Sequence, residues 1–146
     1  LRPPDLTIGN PPQTLRWHLI QWRGFQLALH KWIKSDDDRA LHDHSAWSVS
    51  LLLTGCYWEV FSHAWEPLRC RLRIPLIPVF RRSSTPHRVL LLSPRPIWTL
   101  WLRGPPWREW GFCCPKGWRP WRQYTAERDY SAPGSSSTVG RGCGED

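Results

Sequence analysis

The sequence predicts an all-β fold, a single small barrel or double-sheet sandwich, and three observations carry that expectation. Short segments of alternating apolar and polar residues recur along the chain, with turn residues between them. Fifteen Pro and ten Gly in 146 residues interrupt the chain too often for long helices. No segment sustains an apolar period of 3.6 residues. The length suffices for one domain with one core. Twelve Trp and no Met imply an interior of large rigid rings, whose indole N–H groups need partners wherever they are buried.

Residues 1–13 (LRPPDLTIGNPPQ) are Pro-rich and are expected to form an irregular arm; the folded unit is expected over 14–130. Leu15–Gln21 is the first candidate strand. Phe25–Ile33 is the second, with Phe25, Leu27 and Leu29 on one side and Gln26, Ala28 and His30 on the other. A charged turn at Lys34–Arg39 leads into Leu41–Leu53, read as one long strand. Its odd face (Leu41, Trp47, Val49, Leu51, Leu53) has the composition of core packing. Its even face (His42, His44, Ala46, Ser48, Ser50, Leu52) begins polar and turns apolar towards Gly55, which suits the lining of a small polar cavity. After Gly55, Cys56–Ser62 is expected as the return strand of a hairpin. Arg69–Ile74 and Leu76–Arg81 follow, with Pro75 and Pro78 marking a break or a sheet edge. His87–Leu92, Ile97–Arg103 and Trp107–Phe112 complete the set. Residues 131–146 are small and polar and are expected to be a disordered tail.

The formal charge of +8 is carried mainly by Arg. It raises a nucleic-acid reading, as do the Arg residues interleaved with the rings between Trp98 and Trp121. The Arg residues are scattered and form no dense run, so a solvated surface and Arg stems lying on core rings are preferred, and a nucleic-acid partner is not expected. The five Cys show no C-x-x-C and are odd in number, which fits reduced thiols in a reducing compartment. Of these, Cys113 and Cys114 are adjacent and are read as buried, inert thiols. Leu1–Gln13 lacks the pattern of a secretory leader, and no stretch approaches the roughly 18 apolar residues that span a bilayer. The expectation is a cytoplasmic protein with no membrane partner.

His42-Asp43-His44 is the constellation that bears chemistry. On a strand, residues i and i+2 project to one face, so both imidazoles can address one ion. Two ordinary polar histidines beside an acidic stretch are the alternative. From His44, three residues lead to Ser48 and six more lead to Gly55. Further on stands Thr85-Pro86-His87-Arg88-Val89.

In these residues the chain resembles the cupin superfamily. Its first motif reads G, five residues, H-x-H, three or four residues, E, six residues, G, and its second carries one further His. Ser48 stands where the Glu is usual and Asp36 where the first Gly is usual; in the second motif Ser84 replaces Gly and Leu91 replaces Asn. The segments DDDRALHDHSAWSVSLLLTGCYWEV and PIWTLWLRGPPWREWGFCCPKGWRPW are similar to small bacterial and phage cupin-like proteins, a resemblance over most of 15–125. It implies a jelly-roll barrel (a double-stranded β-helix) and a metal held by His42, His44 and His87. Three neutral imidazoles suit a divalent transition metal (Fe, Zn, Ni, Cu or Mn) without choosing among them. The function implied is binding of, or action on, a small polar molecule, with a dioxygenase as one form by analogy to the three-His thiol dioxygenases. No catalytic residue is assigned. A non-catalytic module with a vestigial site is the alternative that Ser48 raises, and a basic nucleic-acid accessory protein is the other. A homodimer is compatible with the resemblance.

Several further residues have two readings. His30 shares the parity of the cavity face and is either a fourth ligand, a donor behind the ligands or a structural hydrogen bonder. Glu59 and Glu109 either replace the missing acid or pair with Arg. Tyr57 and Arg88 either position an anion or pack across strands. Asp36-Asp37-Asp38 lacks the spacing of a calcium loop and is read as a solvated turn. His18 and His63 have no partner pattern.

Overall fold

A computed structural model describes residues 2–9, 11–36, 40–63 and 67–124, and Cys143. Twelve strands form: β1 (Leu6–Ile8), β2 (Thr14–Trp22), β3 (Phe25–Trp32), β4 (Leu41–His42), β5 (Ser48–Thr54), β6 (Tyr57–Phe61), β7 (Arg69–Arg73), β8 (Pro78–Arg81), β9 (His87–Leu91), β10 (Ile97–Arg103), β11 (Gly111–Cys114) and β12 (Gly117–Pro120). One helical turn, α1 (Trp121–Tyr124), follows. The strands make two antiparallel six-stranded sheets, in the orders β1-β2-β3-β10-β5-β8 and β12-β11-β4-β9-β6-β7. The fold is thus an all-β jelly roll. Among the described residues no helix is long and apolar enough to cross a membrane.

Most expected strands stand where the alternation places them. Leu41–Leu53 does not stay whole. It divides into β4 in one sheet and β5 in the other, and the chain crosses between sheets over Asp43–Trp47. Asp43, 3% exposed, holds that crossing. Its carboxylate accepts hydrogen bonds from Gly111 N (2.7 Å), Trp118 Nε1 (2.9 Å) and Arg108 Nη1 (2.8 Å). Nor do β5 and β6 form a hairpin, since β6 pairs with β7 and β9. The turn at Gly55 carries the chain from one sheet to the other. Gly55 has φ +74°, and a Cβ there would stand 2.4 Å from Ile97 Cγ2. Both the left-handed backbone and the close approach of a fully buried side chain require Gly.

The last expected strand begins later than Trp107, at Gly111, and Glu109 is exposed outside it. The arm, expected to be irregular, contributes β1, which pairs with β2. Pro78 opens β8, and β7 and β8 are the edges of their sheets, where a residue without an N–H costs no ladder bond.

The inner faces of the two sheets show a gradient. Leu52, Tyr57, Val89 and Ile97 form an apolar cluster towards the Gly55 end. Further along, Ser48, Glu59 and His87 on the same strands and Arg81 on β8 are all buried. The even face of β5 therefore points inward, and the odd face, expected to be core, points outward: Leu53 is exposed, and Val49 and Leu51 are half-buried. Aromatic rings stand on this outer face. Trp47 lies against Gly104 and beside Phe25 and Phe80, and Trp17 stacks on Trp98.

A second cluster, Ala40, Phe112, Cys114 and Tyr124, is joined by Trp110 and Trp121, whose rings stack at 5.7 Å. Within the Trp-rich segment Trp110 and Trp121 pack on this cluster, Arg108 lies over Trp118 and Arg122 over Trp121, and Trp107 is exposed. The tail 131–146 lies outside the described residues except Cys143, which forms a disulfide with Cys114. This corrects the expectation of five reduced thiols: Cys56, Cys70 and Cys113 are free. Burial raises the Cys113 thiol, which keeps it protonated and unreactive. Thiol titration of the unfolded, unreduced protein is expected to count three, and five after reduction; five in both would remove the crosslink.

Candidate metal centre

Three histidines converge from separate parts of the chain. His42 ends β4 and sits directly opposite His87 of β9 in the ladder. His44 lies two residues on, in the crossing, its N–H bonded to Ser83 O (3.0 Å) while Asp43 N bonds to Gly111 O (2.9 Å). These bonds keep the backbone extended past the end of β4, so His42 and His44 share a face although the strand has stopped. The ring centroids stand 5.2 Å (His42–His44), 5.0 Å (His42–His87) and 5.0 Å (His44–His87) apart. One ring nitrogen from each lies within 4.8 Å of the others, a group that could hold a metal ion.

A carboxylate stands behind this group. Glu59 of β6, 1% exposed, places Oε1 2.8 Å from His87 Nδ1. Burial pushes the Glu59 carboxyl up, but the bond from His87 and the Arg81 charge outweigh it and hold it well below its ordinary range. Glu59 is therefore an anion, and an anion can only accept, so His87 carries its proton on Nδ1. His87 Nε2 is left with its lone pair facing the cluster. His44 Nε2, 2.7 Å away, donates to it in the metal-free state. Burial, together with the neighbouring positive charges of Arg81 and the other imidazoles, pushes His44 well below its ordinary value. Burial likewise lowers His87 to about 3, against the pull of Glu59. His44 and His87 are thereby neutral imidazoles at neutral pH.

Glu59 is fixed in turn by two guanidinium groups. Arg73 Nε reaches Oε2 at 2.5 Å, and Arg81 Nε bonds Oε1. Arg81 also donates to Ser50 Oγ (2.9 Å) and Tyr57 OH (3.1 Å). This chain of charges was only partly foreseen. Glu59 was a candidate for the missing acid; it sits on the far side of His87 from the cluster. Arg73, Arg81 and Asp43 carried no signal in the sequence beyond residue type.

The other candidates fall elsewhere. Glu109 is exposed and is not part of the three-histidine group. His30, 4% exposed, does face inward, and its Nε2 accepts from Arg16 Nε at 2.8 Å. Tyr57 packs within the apolar cluster with its OH on Arg81, and burial raises its phenol. Arg88 alternates with His87 along β9 and so lies on the opposite face. Asp36 is tied to β9 by Val89 N (2.7 Å) and Val89 O (2.9 Å), while Asp37 and Asp38 lie outside the described residues. His18 meets Gln21 at 2.9 Å, and His63 is exposed.

No protein-family model and no curated protein matches the chain. Solved structures do. A cupin superfamily protein from Desulfitobacterium hafniense DCB-2 is similar at 14% identity and a TM-score of 0.50, over 64% of this chain and 78% of that one. Hydroxypropylphosphonic acid epoxidase from S. wedmorenis is similar at 12% identity and a TM-score of 0.54, over 66% of this chain and 53% of the other. The FeII form of HppE is similar at 13% identity and a TM-score of 0.58, over 70% and 56%. The chain thus spans about half the length of these last two. At such identities the likeness speaks to the fold and leaves the reaction open. On its two six-stranded antiparallel sheets and these likenesses, the chain has a cupin-like jelly-roll fold.

Proposed function

We propose that this protein is a metal-binding cupin in which His42, His44 and His87 hold a divalent transition metal, and that it binds or acts on a small polar molecule. The observation that carries the reading is the convergence of three imidazoles with a carboxylate behind one of them. A metal ligand must offer a lone pair, and the Glu59 bond presents His87 Nε2 in that state. A carboxylate on the remote ring nitrogen of a ligating histidine also orients the ring and raises its basicity. A bound ion of this kind would supply Lewis acidity or a centre for oxygen chemistry. The protein's own part is to hold His44 and His87 neutral, to fix the His87 tautomer and to keep the Arg81–Glu59 pair buried. Likeness to the FeII form of HppE makes Fe(II) the first ion to test; by analogy with cupins at large, an oxygenase is slightly favoured over an isomerase or hydrolase.

Metal analysis of protein purified without chelator tests this. About one equivalent of transition metal is expected for the wild type, and a loss of roughly 10-fold or more in metal content for His42→Ala. Content that is negligible, or unchanged by His42→Ala, would remove the metal centre.

A further inference from the structure

Arg16 and Arg103 bring positive charge to the inner face with no acid to meet it. Arg16 lies on β2 in the same ladder row as His30 and Thr99, and its Nε is spent on His30. Its guanidinium carbon sits 4.7 Å over the Trp101 ring, which turns the group along β10. Two residues on, on the same face of β10 as Trp101, stands Arg103, beside Ser48 in the ladder. Arg103 Nε is buried and makes no hydrogen bond. Among the described residues no carboxylate pairs with either guanidinium.

This is the reverse of the Arg73–Glu59–Arg81 arrangement, where each buried charge is answered. Burial and the Arg103 charge lower Arg16 to about 10, so the two cations are held together at a cost. Burial also lowers Arg103. Ser48, opposite Arg103 in the ladder, is buried four residues from His44. A buried charge without a partner destabilises a fold, and such groups persist where a ligand completes them. Guanidinium forks match planar or tetrahedral oxyanions and bind them bidentately.

We propose that Arg16 and Arg103 form an oxyanion-binding site beside the three-histidine cluster, so that the small molecule taken there carries a carboxylate or phosphate group. This deepens the reading above by naming the substrate class of the same site, and it rests on that reading for the metal alone. Trp101 is the floor on which Arg16 is laid, and His30 fixes its angle.

The test is calorimetric titration of chelator-treated protein with inorganic phosphate and with acetate, at constant ionic strength set with sodium chloride. Saturable binding of at least one probe is expected, weakened tenfold or more in Arg16→Met and in Arg103→Met. Melting temperatures without probe are read alongside. A merely structural role for these residues predicts lower melting with unchanged affinity, and that result overturns the proposal. So does an absence of saturable binding to the wild type, or wild-type affinity in both variants. Should Arg16→Met fail to fold for want of its His30 bond, Arg103→Met, which gives up no hydrogen bond, decides the matter. The metal equivalent of the wild type is measured in the same preparations before chelation, so failure of the metal reading and failure of the anion site are seen separately.

Discussion

Glu59→Gln is expected to destabilise the protein by about 3–5 kcal/mol, the cost of leaving buried charge uncompensated. The Glu59 carboxylate is the only anion described between Arg73, Arg81 and His87, and Arg81 is 6% exposed. Gln keeps the shape and loses the charge, so both guanidinium groups remain in the interior without an acid. The same change releases His87. An amide can donate as well as accept, so nothing then forces the proton onto His87 Nδ1, and metal affinity is expected to fall by about 10–100-fold. Urea denaturation and metal titration of one preparation read both effects. A second substitution makes the argument sharper. Adding Arg81→Met to Glu59→Gln removes one orphaned charge, so the double variant is expected to be more stable than Glu59→Gln alone. Metal affinity is not expected to return, because the His87 tautomer is still free. A Glu59→Gln protein that unfolds with the wild type would show that the charge cluster contributes nothing to the fold.

Period-2 alternation made the strands legible, and the H-x-H pair with Pro86-His87 made the histidine cluster legible, because both depend on local geometry. The sheet change after His42 was not. Alternation runs through 41–53 without interruption, and the crossing is held by Asp43 bonds to Gly111 and Trp118, 68 and 75 residues away. No local rule reports bonds of that span. The inner face of β5 was misread for a different reason. Apolar content normally marks the inward face, yet here polar groups face inward and Trp rings stand on the outside. The charges behind the cluster were hidden for the same reason. Arg73, Arg81 and Glu59 look like solvent-facing residues on three separate strands, and Arg81 and Glu59 are buried, with Arg73 half-buried, only because the fold brings them together. The Cys114–Cys143 crosslink was hidden by an odd Cys count and by a second partner in a stretch without any core pattern.

Acid should unfold the metal-free protein well above the pH at which carboxylates alone would act. His30, His44 and His87 are each held below the ordinary histidine value of 6.5, by burial first and by nearby positive charge second; Glu59 opposes this at His87, which falls to about 3. A group with a depressed folded pKa takes up its proton in the unfolded chain before the folded one. Stability from these imidazoles is therefore complete above pH 6.5 and is lost as pH falls below it, with His87 continuing to contribute to the loss down to about 3. Each pH unit inside that window costs about 1.4 kcal/mol per group, so the step from pH 6.5 to 5 removes about 2 kcal/mol through His87 alone, and His30 and His44 act with the same sign. Against a typical total of about 5–15 kcal/mol, His87 alone is a sizeable share. Glu59 has the same sign further down: its contribution is present above 4.5 and is lost as pH falls below that value. The measurement is the urea midpoint of chelator-treated protein between pH 7.5 and 5. A midpoint that falls steadily from pH 6.5 downward is expected. A flat profile would mean that the imidazoles are solvated, and with solvation the neutral lone pairs on which the metal centre depends would go as well.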